Sequence, residues 1–514
     1  MVKINIREIV KNNKRNYIII GIIFLAFLIR LFFFIKYANQ PLWWDETENL
    51  LLAKHFALGT PDTGFALHRE IGLPLILTPI FFLGLGELGA RFFMLIISVL
   101  IVFLTYKIGK RMFNEWVAYI ASFLMSVFYL NLFFTLRFTA NLFDSFMWLV
   151  VLFLFYKYID TQNKWYVIAA GAVGITSMIL FYFAIFLVAV PIAAYMLIKY
   201  KLKTFKKFEL YLSLVAGLLA MLPFMIYFYI TTGWLIPRLG RSIVSDVENT
   251  QPFAPIQYWN WLKLLPTYLT IPLLIMFIIA VSYFIFSLII SFKSFVKGKN
   301  EWLLNQFICF LIIFDGFLFI GTIQARCGAT CYLEPRFLLY MFPFVFMFLA
   351  SVFYEIGKLF FKDKTVRHVF YAIVICIFIY GSALQLQQAN NLIAYKGSSF
   401  DISKDIGLWL KDNTNPDDVV VAYNIPINTY YSERETYSHA NASNFYQILD
   451  KYDAIRQWEK LGAKYLVYSA DSYPPEWYRE LPQKNKDKLE AVKVFTKGNN
   501  VVGVVYKIKD YNLS

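Results

Sequence analysis

Apolar residues in this chain come in runs of about twenty, separated by short polar segments, from Tyr17 to about residue 387. About 20 helical residues cross the hydrocarbon core of a bilayer. Inside lipid the backbone must satisfy its own hydrogen bonds, and these runs lack the alternation of a barrel strand, so they predict membrane helices. The expected spans are 17–37, 88–106, 116–132, 139–156, 165–181, 183–198, 210–230, 268–291, 302–323, 337–354 and 369–387, about eleven in all. The first is too long for a signal-peptide core and has no small-residue cleavage site after it, so it is read as a retained helix.

The pattern changes after about residue 395. Residues 396–514 carry 16 basic and 16 acidic residues and no spanning run. Val419 to Tyr423, Tyr465 to Tyr468 and Val501 to Tyr506 read as strands from their β-branched and aromatic residues. Ile402 to Leu410 and Asn444 to Leu461 read as helices. The expected organisation is a transmembrane domain over 1–394 and a small α/β domain over 395–514. Asn441-Ala442-Ser443 is an N-glycosylation triplet in the latter.

Composition agrees with a membrane protein. Of the 514 residues 59% are hydrophobic and only 16% charged, against about a quarter charged in soluble domains. The formal net charge of +15 has a location. The segments 1–16, 107–115, 157–164, 199–209, 293–301 and 355–368 hold 22 of the 49 basic residues and 7 of the 34 acidic ones, leaving 27 of each elsewhere. This is a positive-inside bias rather than a nucleic-acid footprint. It puts those segments and the N-terminus in the cytoplasm and, after an odd number of crossings, the C-terminal domain outside. It also opposes two crossings between 71 and 106, so 71–85 is expected to lie at the outer interface. Cys309 and Cys376 sit in apolar runs as packing residues. Cys327 and Cys331 share an outer loop and suit a disulfide in an oxidising compartment better than a metal site.

Polar residues placed where polarity is expensive mark the candidate chemistry. Trp43-Trp44-Asp45-Glu46-Thr47-Glu48 opens the first outer loop with adjacent carboxylates beside two Trp. The plainer reading of this cluster is an interfacial Trp belt and the acidic start of a surface helix. Arg30, Arg91 and Arg137 fall near the outer ends of spans, and Arg336 begins the tenth. Intramembrane Arg faces a bundle interior or water, and its fork suits a phosphate; snorkelling to headgroups is the alternative. Asp144 lies shallowly in span four. Asp315 lies deep in span nine, where structural pairing is expected. His68-Arg69-Glu70 closes the first loop before Ile71-Gly72-Leu73-Pro74.

In order and spacing these residues resemble the GT-C superfamily of membrane glycosyltransferases, in its protein mannosyltransferase and aminoarabinose transferase-like branch. The likeness rests on Arg30 late in the first helix, on Trp43, Asp45 and Glu46, and on His68, Arg69 and Pro74. It extends through Gly86 to Arg91, Tyr106 to Phe113, Arg137 to Asp144 and Arg336 to Pro343, and covers about residues 17–360. The first-loop closing motif departs from the Lys-Pro or Pro-Pro of many members. The resemblance implies an enzyme that moves a sugar from a polyprenyl-monophosphate carrier to a protein, glycan or lipid acceptor outside the cytoplasm, with inversion. It implies Asp45 as general base, Glu46 as an orienting group, and His68, Arg69, Arg137 and Arg336 as donor-phosphate ligands. Arg30, Arg91 and Asp144 are then supporting residues, and Arg238 and Arg241 lie in a lid loop over 232–266. No metal is expected, because Arg alone neutralises a monophosphate; a divalent cation at Asp45, Glu46 and Asp144 is the alternative. A prokaryotic plasma membrane is the expected location. A lipid-linked glycan flippase and a non-catalytic accessory protein are the competing classes; the former is disfavoured because no internal repeat relates the two halves.

Overall fold

The computed structural model describes residues 6–62, 71–180, 184–235, 260–327, 335–437, 458, 462–472 and 476–509. The expected helix at 444–461 apart from Trp458, the Asn441 triplet, His68, Arg69, Arg238, Arg241 and Cys331 lie outside the described residues, as does the side chain of Cys327. The chain packs as two compact units. One comprises Met1–Lys36, Phe92–Leu136 and Ala140–Leu392; the other comprises Tyr37–Arg91, Arg137–Thr139 and Ile393–Ser514.

The first unit is helical. Its N-terminal half uses α1 (Ile6–Tyr37), most of α4 (Gly86–Met112), α5 (Glu115–Val127), α6 (Tyr129–Thr135) and α7 (Ala140–Thr161). The helices Lys164–Thr176, Ala184–Tyr200, Phe208–Thr232, Asn260–Ile290, Glu301–Cys327, Phe342–Phe360 and Lys364–Gly397 follow. Where they are described, the eleven expected runs are mainly helical, the third being broken at Phe128. Among the described residues eight helices are long and apolar enough to cross a membrane, and the α5–α6 pair, bent by 54°, makes a ninth if it is one span. Lys164–Ile179 is apolar but shorter. The last long helix overruns its expected end at 387 because residues 382–396 contain neither Gly nor Pro to stop it.

Small residues bring some of these helices close. A Cβ at Gly171 would lie 2.3 Å from the Ser213 carbonyl oxygen, so Lys164–Thr176 and Phe208–Thr232 pack backbone to backbone there, as membrane helices do at small-residue contacts. Broken helices are rescued by side chains. The Asn260–Ile290 helix is interrupted at Thr270 between Pro266 and Pro272. Gln385 donates to the Tyr268 carbonyl at 3.0 Å and Gln388 to the Thr267 carbonyl at 2.9 Å. Gln385 also accepts from the Tyr129 amide at 3.2 Å, where α6 starts. Backbone groups released in an apolar setting find partners this way.

In the second unit α2 (Trp44–Leu58) packs on α3 (Gly72–Phe82), the expected interfacial helix, and on the Ile425–Ser432 helix. The C-terminal segment forms one mixed sheet of order β2-β1-β3-β5-β4 from β1 (Val419–Ala422), β2 (Thr436–Tyr437), β3 (Ala463–Ser469), β4 (Leu489–Lys497) and β5 (Asn500–Ile508). β1 runs parallel to β2 and β3, and β5 antiparallel to β3 and β4. Successive strand side chains point to opposite faces. Val420 and Val467 therefore join Ile406 and Leu410 of the Asp401–Asn413 helix. Val421 and Leu466 join Tyr478 and Leu481 of the Glu476–Lys484 helix on the other side.

Candidate active site

Trp43 caps α2 with extended backbone, at φ −84° and ψ 167°, which makes Glu46 the third residue of the first turn. A Glu at that position reaches back to the cap amide, and Glu46 Oε2 accepts from the Trp43 N–H at 2.7 Å. The same oxygen accepts from Arg137 Nη1 at 3.0 Å, and Oε1 accepts from the Phe138 amide at 2.8 Å. Glu46 is fully buried, whereas its neighbour Asp45 is half-buried. Of the two adjacent carboxylates, one is committed to the interior and the other borders accessible space. Asp45 also sits in the first turn of a helix, where backbone amides and the helix dipole favour an anion.

Arg137 comes from the turn between α6 and α7. It donates to the Pro41 carbonyl at 3.2 Å and the Lys396 carbonyl at 3.0 Å, and its guanidinium carbon lies 4.2 Å from the Trp43 ring centroid. Asn49 donates to the Asp45 carbonyl at 2.9 Å and the Phe138 carbonyl at 3.0 Å. The loop ahead of α2 and the 137–139 turn thus clamp the first turn of α2 from two sides. Expected as a phosphate ligand, Arg137 is instead enclosed with Glu46, its side chain 0% exposed. Glu46, expected to orient the acceptor or the base, is likewise turned inward, beneath the same turn that carries Asp45.

Arg91 pairs with Glu87 at 2.6 Å, donates to the Gln40 carbonyl at 2.8 Å and lies 5.0 Å from the Phe138 ring. The C-terminal segment contributes groups that no sequence motif announced. The Leu42 amide donates to the Tyr431 hydroxyl at 3.3 Å. Lys404 donates to the Asn39 carbonyl at 2.6 Å. Lys54 and Lys411 both pair with Glu433, at 2.5 and 2.8 Å. The only trace of this in the sequence is an aromatic pair, Tyr430-Tyr431, ahead of Glu433.

The remaining expected residues belong to the first unit. Arg30 meets no carboxylate among the described residues. It donates to Ser98 Oγ at 2.6 Å, Asn131 Oδ1 at 2.5 Å and the Ser126 carbonyl at 2.9 Å, the last beside the α5–α6 bend. Asp144 is buried and accepts from Trp148 Nε1 at 3.0 Å. Arg336 opens the short 3-10 segment Pro335–Met341 and lies 5.2 Å from the Phe337 ring. That segment packs on α7 and on the Glu301–Cys327 helix. It carries Tyr340, a buried hydroxyl without a hydrogen-bond partner among the described residues. Asp315, expected to be structurally paired, has one buried carboxylate oxygen that is likewise without such a partner. No sequence signal marks Tyr340, because a tyrosine within an apolar run reads as packing.

The helical bundle with its small C-terminal sheet is a fold found in solved membrane proteins. ArnT from Cupriavidus metallidurans in the apo state matches with a TM-score of 0.66 and 11% identity over 95% of this chain and 97% of its own. The same protein bound to undecaprenyl phosphate matches with 0.65 and 12%, over 95% and 97%. The Archaeoglobus fulgidus oligosaccharyltransferase AglB, in complex with an inhibitory peptide and a dolichol-phosphate, matches with 0.54 and 14%, over 96% and 74%. The family model described as dolichyl-phosphate-mannose-protein mannosyltransferase matches residues 73–227. The chain shares the fold of these solved proteins, and the family-model match covers its residues 73–227. Comparison with curated protein sequences finds no match. The family-model match contains Arg91, Arg137 and Asp144 of this chain, while Asp45 and Glu46 lie ahead of it.

Proposed function

We propose that this chain is a glycosyltransferase of the GT-C superfamily that moves a sugar from a polyprenyl-monophosphate carrier to an acceptor on the extracytoplasmic side of the membrane, with inversion at the anomeric carbon. Support comes from the mannosyltransferase family match over 73–227 and from solved proteins of this fold bound to undecaprenyl phosphate or dolichol-phosphate. The observation that carries the reading is the division of labour in the first turn of α2. Glu46 is buried against Arg137, which leaves half-buried Asp45 as the carboxylate that can border a substrate.

In this scheme an acceptor nucleophile, typically a hydroxyl, attacks the anomeric carbon while Asp45 takes its proton. The new glycosidic bond forms as the bond to the carrier phosphate breaks, and the electron pair leaves on the phosphate oxygen. That growing charge needs fixed donors in a water-poor site. Arg336, Arg69 and His68 are the candidates, since Arg137 is engaged with Glu46. Glu46 and Arg137 are positioning residues that hold the Asp45 backbone. The reaction proceeds without a divalent cation. Sugar transfer from a radiolabelled polyprenyl-phosphate donor in proteoliposomes, lost in Asp45→Asn, tests the proposal. Donor binding without transfer would instead identify a flippase, and neither binding nor transfer an accessory protein.

A further inference from the structure

A cavity of about 590 Å³ opens within the first unit between the N-terminal part of the α1 span, the C-terminal half of α4 and the C-terminal end of α7. That volume is in the range of small-molecule sites, about 300–1,000 Å³. Its walls divide by chemistry. Ile19, Ile20 and Ile23 of α1, with Phe103 and Phe153, supply an apolar floor, and Lys107, Lys110, Arg111 and Lys157 supply a cationic rim whose lining includes a single acid, Asp160. Two of these cations are neutralised locally: Arg111 pairs with Asp160 at 2.5 Å and Lys110 with Glu115 at 2.6 Å. Lys107 and Lys157 have no carboxylate partner among the described residues. Each is exposed and folds its ammonium over the ring one turn back, 5.2 Å from Phe103 and 5.7 Å from Phe153. Two uncompensated ammonium groups therefore stand at the mouth of an apolar groove between membrane helices.

The geometry points to a binding site for one anionic phospholipid, its phosphate between Lys107 and Lys157 and its acyl chains along the isoleucines of α1. A soluble phosphate would have no use for the apolar floor, and a zwitterionic lipid would bring its own headgroup cation up to the two ammonium groups. Basic pockets between membrane helices on the cytoplasmic side hold acidic headgroups by this combination. The charge bias assigns this end of α4 and α7 to that side. The site uses none of the residues given a role in glycosyl transfer, so it stands or falls separately from that reading.

Native mass spectrometry of the full chain from mixed micelles holding equal phosphatidylglycerol and phosphatidylcholine tests it. The wild type should retain phosphatidylglycerol preferentially. Lys107→Gln with Lys157→Gln should lower that retention about tenfold or more, and so should Ile20→Trp, which fills the groove and leaves both charges in place. Lys362→Gln with Lys364→Gln removes two charges from another basic loop and should change nothing. Equal retention of the two lipids by the wild type would overturn the site, and so would equal loss in the Lys362/Lys364 control, since binding would then follow surface charge alone. Unchanged retention in Ile20→Trp would equally dismiss the groove.

Discussion

Glu46 and Arg137, 91 positions apart in the chain, meet at 3.0 Å with side chains 1% and 0% exposed. The pair also closes a set of backbone contacts. Glu46 takes the Trp43 and Phe138 amides, and Arg137 gives to the Pro41 and Lys396 carbonyls. Removing either partner strands a buried charge, which costs about 3–5 kcal/mol. Glu46→Gln and Arg137→Ala should each lower the melting temperature well below that of wild type. Because the second change then removes a charge already unpaired, the double variant should lose less stability than the two singles combined. Thermal melts of the four proteins read the coupling; strict additivity would mean that the pair does not act as a unit.

Asp45→Asn should cut transfer about 10²–10⁴-fold, the range of a lost general base. Insertion should be retained, because Asn keeps the size and shape of the side chain. Activity within tenfold of wild type would remove Asp45 from the reaction.

Arg336→Ala should reduce kcat by about 10²–10³ if its guanidinium meets the leaving phosphate. Arg336→Lys should recover part of that, since it keeps the charge and loses the fork. An effect confined to the acceptor's KM would place Arg336 away from the donor.

Chelation should leave transfer unchanged, as expected of a reaction in which arginine alone balances a monophosphate. Loss of activity with EDTA, restored by Mn²⁺ or Mg²⁺, would replace the metal-free scheme.

Glu433 joins α2 to the C-terminal segment through Lys54 and Lys411. Burial pushes its carboxyl up, but the hydrogen bonds from Lys411 and Lys54 outweigh this and hold it below its ordinary value of 4.5. A depressed folded-state value means that the contribution is fully present above 4.5 and is lost as the pH falls through the lowered value. Hydrogen exchange in Ile425–Ser432 should therefore accelerate in wild type as pH drops below that point, after correction for intrinsic rates. Glu433→Gln should show weak protection already at neutral pH and little further change. Identical profiles would show that the carboxylate does not secure this helix.

Much of the fold was legible because its signals are local. Twenty-residue apolar runs report membrane helices directly, and Val419 to Ala422 reads as a buried strand because both of its faces are covered. β4 is not legible, for the opposite reason. Its residues are exposed along nearly their whole length, so no alternation marked them. β2 is only two residues long, too short to carry a pattern.

The candidate carboxylates were legible as charges set beside a membrane span. Their division into a buried Glu46 and a half-buried Asp45 was not, because adjacent residues in a helix differ only in which way the helix turns them. The sequence by itself determined the helical membrane architecture, the charge asymmetry and the α/β character of the C-terminal segment, all of which follow from composition over short windows. Tertiary structure alone decided that Arg137 serves Glu46, that Arg30 serves the carbonyl beside a helix bend, and that Tyr37–Arg91 packs in one unit with Ile393–Ser514. A guanidinium takes whichever acceptors folding brings within 3 Å of it, and residues separated by hundreds of positions leave no mark of that meeting in the order of the chain.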